Sequence, residues 1–402
     1  MELASLADSA SANGAIQMWG QTTVNFPIFR WNAATPLVLN NRQFDLYANQ
    51  NAVGIYAIEN NSANSANTIT VNTALLFFGP WPAAERRLTL QGSNGGDNTF
   101  ASVIADTGTA IVSLRKDGPG KWVVNNTNTY TGTTTIRGGR LVLPTLANAG
   151  TACSIGAYPT PGPGGITIGG GTLQYTGGGT VTVDRGFTTD GNPAGIDLSA
   201  AGTVLTLGAV QMGSQTLDVT GGTGTLDLND TAQTVGNFGG TGGTILNNNS
   251  ATTPLLTIGT GDGGGGNYAG VIQDNTSGTG KVALTKTGGG TITLSGPNTY
   301  TDATTVNGGR LKVTGSILNT SSATVNAGTL ELANSSSSAT AATLAISNLG
   351  TLEVSTLGQA VGAITGTAGT TNVDANSSLT ADSIVQDRGP RGIPRAEGNR
   401  AR

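Results

Sequence analysis

Apolar and polar residues alternate in short runs along much of the chain, and these runs recur as matched groups. Two such groups, 19 residues apart, are Val306, Leu311, Val313 and Val325, Leu330, Leu332. Residues at i and i+2 lie on the same face of a β-strand. The pattern therefore predicts strands with an apolar inner face, in which each residue of the first group stacks beneath its counterpart in the second.

Glycine marks the turn between the two apolar runs of each group. The motif recurs around Gly120, Gly139, Gly171, Gly224, Gly290, Gly309, Gly328 and Gly350. The last four glycines are separated by 19, 19 and 22 residues. A period near twenty with strand-forming residues is typical of a β-solenoid, whose coils stack about 4.8 Å apart and bury a shared apolar stripe. We therefore predict an all-β fold, a β-helix of single-stranded coils with parallel strands.

The sequence also contains a longer repeat. Lys116–Leu143 and Lys286–Val313 align without a gap at an offset of 170 residues and share thirteen of twenty-eight positions. The similarity continues upstream, from Asn98–Asp106 to Asn267–Asp274. The chain is therefore expected to contain two copies of one larger unit, at about residues 98–143 and 267–313.

Composition narrows the classes of function. Charged residues make up 10% of the chain, aromatic residues 5%, and there are 63 glycines. A disordered chain is the competing interpretation of such a composition. The absence of histidine excludes Ser-His-Asp catalysis, and the single cysteine, Cys153, excludes an intrachain disulfide and a cysteine-rich zinc site. The basic residues are scattered singly and the net charge is −4, so the chain lacks the basic patch expected of a nucleic-acid-binding protein.

The pattern divides the chain into three regions. Residues 1–60 are predicted to be an atypical, aromatic-rich capping region, and residues 61–387 the β-helix proper. Residues 388–402 carry five arginines and no strand alternation, which predicts a disordered basic tail. The last coil before that tail would be uncovered, so end-to-end self-association of the chain is expected.

The segment Leu284–Val313, LTKTGGGTITLSGPNTYTDATTVNGGRLKV, resembles the autotransporter-associated β-strand repeat, also called the passenger-associated transport repeat. This resemblance implies a right-handed parallel β-helix in the exported passenger of a Gram-negative surface protein. It implies a display stalk or adhesin that assists its own export, located at the cell surface or outside the cell. Association with the outer membrane would then depend on segments outside this sequence, and the partner would be a surface ligand such as a carbohydrate or a host protein.

An enzyme is the main alternative, because a β-helix can carry a polysaccharide lyase or hydrolase built from carboxylates and a basic residue. Asp218, Asp227 and Asp230 lie close together in sequence, with Arg185 upstream. Asp218 and Asp227 alternate with apolar residues, so we expect both on the solvated outer face and predict no enzyme activity. No catalytic, cofactor-binding or metal-binding residue is therefore assigned.

Three weaker signals are interpreted as coil structure. The glycine run Gly263–Gly266 lacks the Gly-Lys-Ser/Thr ending of a phosphate loop, and Gly259–Asn267 has one aspartate where a calcium nonapeptide needs tandem copies. Thr127–Thr135 has the composition of an ice-binding array, but variable coil length is expected to break a regular threonine ladder.

A run of about 18 apolar residues is also missing, so no membrane-spanning helix is predicted.

Overall fold

The computed structural model of the chain describes residues 2–3, 15–20, 26–48, 54–78, 85–190, 192, 194–198, 203–207, 210–211, 217–220, 224–228, 230, 232–248, 252–260, 265–275, 278–334, 339–355 and 358–386. The chain forms two compact units, Met1–Thr203 and Val204–Arg402. Residues 388–402 lie outside the described part. The disorder and the self-association predicted for that end stay predictions.

The first unit consists of short strands with one 3-10 turn, Pro163–Gly165. Its strands are β1 (Glu2–Leu3), β2 (Ile16–Gly20), β3 (Ile28–Trp31), β4 (Leu37–Leu39), β5 (Phe44–Ala48), β6 (Gly54–Asn60), β7 (Ile69–Val71), β8 (Leu75–Phe78), β9 (Arg86–Gly92), β10 (Asn98–Phe100), β11 (Val112–Lys116), β12 (Lys121–Val124), β13 (Thr134–Ile136), β14 (Gly139–Leu143), β15 (Ile166–Ile168), β16 (Gly171–Tyr175), β17 (Thr180–Thr182), β18 (Phe187–Thr188) and β19 (Ala194–Asp197).

The second unit continues in the same manner. Its strands are β20 (Val204–Thr206), β21 (Val210–Gln211), β22 (Leu217–Thr220), β23 (Thr225–Asp227), β24 (Gln233–Val235), β25 (Phe238–Gly239), β26 (Thr244–Leu246), β27 (Leu255–Ile258), β28 (Gly266–Tyr268), β29 (Val271–Ile272), β30 (Ala283–Lys286), β31 (Thr291–Leu294), β32 (Pro297–Asn298), β33 (Thr304–Val306), β34 (Arg310–Val313), β35 (Ser316–Ile317), β36 (Ser322–Val325), β37 (Thr329–Leu332), β38 (Ala345–Asn348), β39 (Thr351–Val354), β40 (Gln359–Gly366), β41 (Thr370–Val373) and β42 (Leu379–Gln386).

Strands of the first unit pair in parallel with strands one coil away along the chain. The first sheet of this unit runs β1-β3-β6-β9-β11-β13-β15-β18, a short sheet runs β2-β5-β8, and a third runs β4-β7-β10-β12-β14-β16-β19. Each pass of the chain through these sheets is one coil. Parallel strands without helical crossovers are the arrangement of a β-helix, which confirms the predicted all-β parallel fold.

The second unit is built in the same way. Its first sheet runs β21-β24-β27-β30-β33-β36-β38-β40-β42, and two others run β20-β23-β26-β29 and β28-β31-β34-β37-β39-β41. The predicted stacking is confirmed here, because Val306 pairs with Val325, Leu311 with Leu330, and Val313 with Leu332. All six side chains are at most 1% exposed.

The next coil shows a shift that alternation alone does not predict. Leu330 pairs with Leu352, as the pattern suggests, but Val325 pairs with Asn348 and not with Ile346. Ile346 instead pairs with Ala323. This coil is therefore shifted by two residues from the register in which Ile346 would stack on Val325.

Coil stacking already begins within the segment predicted to cap the helix. Ile28–Trp31 pairs with Ala57–Asn60, and Phe29 and Phe44 pack edge to face with ring centroids 5.3 Å apart. Both phenylalanines are at most 1% exposed. Phe29 and Phe44 thus fill the interior of coils, whereas Trp19 is 57% exposed and stacks on Tyr47. The role of the segment as a cap stays a prediction.

Glycine is required at the corner before β34. Gly309 has φ +57°, and a Cβ atom there would lie 2.4 Å from the carbonyl oxygen of Gly290 in the coil below. That oxygen accepts a hydrogen bond from the Arg310 amide at 3.0 Å. The corner therefore needs both the left-handed backbone and the missing side chain, because the hydrogen bond between coils brings the two backbones into contact.

Differences in coil length are confined to the corners. Between β14 and β15 the chain takes 22 residues (144–165), whereas between β34 and β36, the same stage of a later coil, it takes eight (314–321). Strand pairing on either side is continuous in both places. An outer column on the first sheet of the second unit consequently stays in register through Thr234, Thr257, Thr285, Thr305, Thr324, Ser347 and Thr365. Variable coil length therefore does not interrupt this column.

Candidate functional site: buried polar groups of the two repeats

Each copy of the long repeat buries one lysine at the end of a first-sheet strand. Lys116 donates from Nζ to the carbonyl oxygens of Asp117 at 2.8 Å, Gly118 at 2.8 Å and Gly138 at 3.0 Å. The first two oxygens belong to the corner that follows Lys116, and the third belongs to the next coil. We call this arrangement the lysine clamp, and it ties two consecutive corners together.

The second copy repeats the clamp at equivalent positions. Lys286 donates from Nζ to the carbonyl oxygens of Thr287, Gly288 at 3.1 Å and Gly308 at 3.2 Å, and Gly308 again belongs to the next coil. Both lysines have no exposed surface. Two lysines 170 residues apart therefore make the same three contacts.

Each clamp lysine lies between two aliphatic neighbours in its column. Lys116 stacks between Leu90 and Ile136, and Lys286 between Ile258 and Val306. Burial lowers the pKa of each lysine from 10.5 to about 8, and the nearby Asp117 partly offsets this lowering at Lys116. The carbonyl oxygens compensate for lost hydration, since a buried amine without acceptors is costly.

A buried asparagine joins three coils in each copy. Asn298 accepts a hydrogen bond from the Ile272 amide at 2.9 Å and donates to the carbonyl oxygens of Gly296 at 3.0 Å and Ser316 at 3.1 Å. Asn128 likewise accepts from the Ile104 amide at 2.8 Å and donates to the Ser154 carbonyl at 2.7 Å. The amide side chain thus replaces backbone pairing where the strands end.

A tyrosine and an aspartate complete the shared set. The Tyr300 hydroxyl lies 2.6 Å from the Thr304 hydroxyl, and Asp274 accepts from the amide and hydroxyl of Thr301 at 3.0 and 2.5 Å. The equivalent pairs in the first copy are Tyr130 with Thr134 and Asp106 with Thr131. Burial raises the pKa of both tyrosines well above its usual value. These groups are already occupied by the chain itself, so their chemistry is to hold coils together.

The lysine and asparagine roles were missed at the level of sequence, although a signal existed. Lys286 follows Leu284 by two residues and Lys116 follows Leu114 by two, so both lysines share the inward phase of a core leucine. Their inward position is overlooked if every lysine is assumed to lie on the surface.

The residues considered for catalysis do not form one site. Asp227 was expected on the solvated face but is only 5% exposed, because the Thr206 hydroxyl donates to it at 2.7 Å and the Asn248 amide at 2.9 Å. The expected solvated position is therefore wrong for Asp227, because neighbouring coils cover it. Asp230 is half-buried and accepts from the Asn247 amide group at 2.8 Å. The side chain of Asp218 lies outside the described residues.

Arg185 belongs to the first unit and has a structural role. Its guanidinium is 1% exposed and donates to the carbonyl oxygens of Thr151 at 3.1 Å and Gly156 at 3.0 Å. These contacts fasten the long corner 144–165 to the coil that follows it. Cys153 in that corner is also buried, 3.7 Å from the guanidinium.

Metal and phosphate candidates gain no support. In the described part of the chain, no group of three or more His, Cys, Asp or Glu residues could hold a metal ion. The glycine-rich segments Gly259–Asn267 and Gly263–Gly266 lie partly outside the described residues. No helix among the described residues is long and apolar enough to cross a membrane.

A charge ladder covers the outer face of the third sheet in the second unit. Arg310 and Lys312 contact Glu331 at 2.7 Å each, and Arg310 also contacts Glu353 one coil further on. Burial acts to raise the pKa of Glu331, but the hydrogen bonds from Lys312 and Arg310 outweigh it and hold the pKa below its usual value. The ladder therefore links three coils on the outside, as the buried asparagine does inside, while the clamp links two.

The sequence pattern of the family described as Passenger-associated-transport-repeat matches residues 114–143 and 284–313. The chain carries two passenger-associated transport repeats. Both matched segments contain the clamp lysine and the buried tyrosine, so the features that define the repeat here are internal contacts between coils.

A longer similarity extends beyond the repeats. Over 251 residues, 53% of this chain, the sequence is 36% identical to a protein named Adhesin BmaC autotransporter from Brucella suis biovar 1 (strain 1330). The matched part is 7% of that protein's length. No solved structure matches the chain. The repeats and this distant similarity agree with the resemblance derived from the sequence.

Proposed function

We propose that this chain is a non-catalytic structural segment of an exported passenger. It acts as a display stalk or adhesin at the bacterial surface, and its repeats assist export by folding outside the cell. The observation that carries the proposal is the identical use of buried polar groups in both repeats. Lys116 and Lys286 make the same contacts across consecutive coils, so the repeat residues act in stacking.

The outer surface supports a display role. The column from Thr234 to Thr365 presents hydroxyl and methyl groups without charge along successive coils. Together with the similarity to a protein named as an adhesin, this favours a long ligand-presenting surface, with a carbohydrate or a host protein as the partner. The location that follows is the cell surface or the medium.

The test is to place the full chain as passenger between an export signal and an outer-membrane translocator, and to measure protease-accessible protein on intact cells. Replacing Asn128 and Asn298 by alanine should lower the surface level severalfold, because stacking outside the cell drives export in this proposal. Replacing the exposed Asn319 by alanine is the matched control. Equal surface levels in all three strains would refute the role in export.

Catalysis is tested separately on the purified chain. We expect no turnover of polysaccharide, peptide or ester substrates, since the carboxylates of Asp227 and Asp230 are engaged with neighbouring coils. A rate above background that disappears in the Asp227→Ala variant would establish the enzyme alternative.

A further inference from the structure

Alternation of apolar and polar residues does not fully determine how one coil stacks on the next. A slip of one residue turns every side chain to the wrong face and is strongly disfavoured. A slip of two residues returns each side chain to the correct face. In an aliphatic column, such a slip replaces one aliphatic contact by another, so packing discriminates weakly against it.

The coil at β38 shows that the hydrophobic pattern alone does not decide the register. The pattern permits Val325 to stack on Ile346, yet the observed pairing is Val325 with Asn348. Asn348 is fully buried and donates to the Thr370 carbonyl oxygen at 2.9 Å, in the following coil. A buried polar side chain with a fixed acceptor in the next coil accompanies the register that is actually adopted.

The lysine clamps have the same geometry at β11 and β30. Nζ of Lys286 bonds to Gly288 in its own corner and to Gly308 in the next. A two-residue slip of β33 on β30 would move Gly308 by roughly 6.6 Å, twice the rise per residue of a strand. Nζ would then lose the Gly308 oxygen, and Lys286 would stay buried opposite Thr304 or Gly308 instead of Val306, which is costly for a buried amine.

We propose that Lys116 and Lys286 are register locks, which exclude two-residue slips between consecutive coils that the hydrophobic pattern leaves open. The lock acts through the bond to the next corner, Gly138 in the first copy and Gly308 in the second. It concerns the fold of the chain itself and holds whether or not the segment is displayed at a cell surface.

Disulfide trapping in the full-length chain tests the lock. The background carries Cys153→Ser, so that introduced thiols are the ones that react. The native-register reporter is Thr285→Cys with Thr305→Cys, which are direct partners on the outer face. The slip reporter is Thr285→Cys with Ala303→Cys, offset by two residues. Direct partners lie about 4.8 Å apart and the offset pair roughly 8 Å, beyond the reach of a disulfide in a fixed backbone.

With Lys286 present, we expect the native pair to oxidise and the offset pair to stay reduced. In Lys286→Met, which keeps side-chain volume but cannot donate, the oxidised fraction of the offset pair should rise by about tenfold at the expense of the native pair. Lys281→Met, at an exposed lysine a few residues upstream, should leave both fractions unchanged. Unchanged trapping in Lys286→Met would overturn the proposal.

A second variant separates register from stability. Lys286→Gln retains an amide donor and should keep the native trapping pattern. If Lys286→Met failed to fold by circular dichroism while Lys286→Gln folded, the lysine would be needed for stability and not for register, and the lock would be refuted. Lys116→Met, with reporters at Arg115 and Thr135, repeats the test in the other copy.

Discussion

Nζ of Lys286 lies 3.2 Å from the carbonyl oxygen of Gly308, which belongs to the next coil of the β-helix. The same contact joins Lys116 to Gly138 at 3.0 Å. Both amines are buried among aliphatic residues, so their protonation is linked to folding.

Stability should therefore rise with pH across the range in which the two lysines titrate. Their pKa is about 8 in the folded chain and near 10.5 when unfolded. Between these values the unfolded chain binds more protons than the folded chain, which makes the free energy of unfolding increase with pH. Denaturant midpoints measured from pH 7 to 10 should show this rise. The Lys116→Met/Lys286→Met double variant should show a flatter curve.

The rise should end near pH 10, where buried tyrosines act in the opposite sense. Burial raises the pKa of Tyr56 to about 12 and that of Tyr300 further above its usual 10.0. Above pH 10 the folded chain keeps phenol protons that the unfolded chain loses, so stability falls. A stability maximum below pH 8 would contradict these assignments.

Leu311→Asp should destabilise the second unit by roughly 4 kcal/mol, because it places a carboxylate in a dry stack between Ile292 and Leu330. Lys312→Glu should cost about 1 kcal/mol by placing a like charge opposite Glu331, and added salt should reduce this cost. Chemical denaturation of both variants tests the strand phase. A loss for Lys312→Glu as large as that for Leu311→Asp would contradict the assigned strand phase.

Gly309→Ala should cost more than about 1 kcal/mol from the left-handed backbone alone, and the contact with Gly290 adds to this. Gly95→Ala is the matched control, since a Cβ there meets nothing within 4 Å. Its effect should stay within about 0.5 kcal/mol. Thermal unfolding of the two variants decides whether the corner requires glycine.

Asn298→Ala should cost about 3 kcal/mol, because it leaves the buried Ile272 amide and two carbonyl oxygens without the partners they have now. Asn319→Ala, at an exposed asparagine with a long 3.4 Å contact to the Thr299 carbonyl, should be nearly neutral. Hydrogen exchange at Ile272 provides the local readout. Unchanged protection of that amide in Asn298→Ala would contradict its role.

The strand phase and the stacking of most coils could be predicted from the sequence, since i and i+2 alternation sets the inner face and glycine spacing sets the period. Leu311, Leu330 and Leu352 follow this rule. The pairing of Val325 with Asn348 could not be predicted, because two-residue shifts preserve the pattern and polar contacts decide between them.

Exposure was harder to predict than phase. Asp227 was expected on the solvated face, but side-chain and backbone donors from adjacent coils cover it. Lys286 is the opposite case, a lysine that points inward. Its spacing from Leu284 indicates the inward face, but its acceptors are backbone carbonyl oxygens, which the sequence pattern does not reveal. Contacts along the stacking direction join residues about twenty or more positions apart, and no local pattern records them.

The 22-residue corner between β14 and β15 and its eight-residue counterpart between β34 and β36 have a consequence for engineering. The strands on either side remain paired in both places, so the corner after the third sheet tolerates different lengths. A peptide grafted there would be carried at one lateral edge of the coil without disturbing the ladders. The scaffold could then present antigenic segments at chosen coils along each unit.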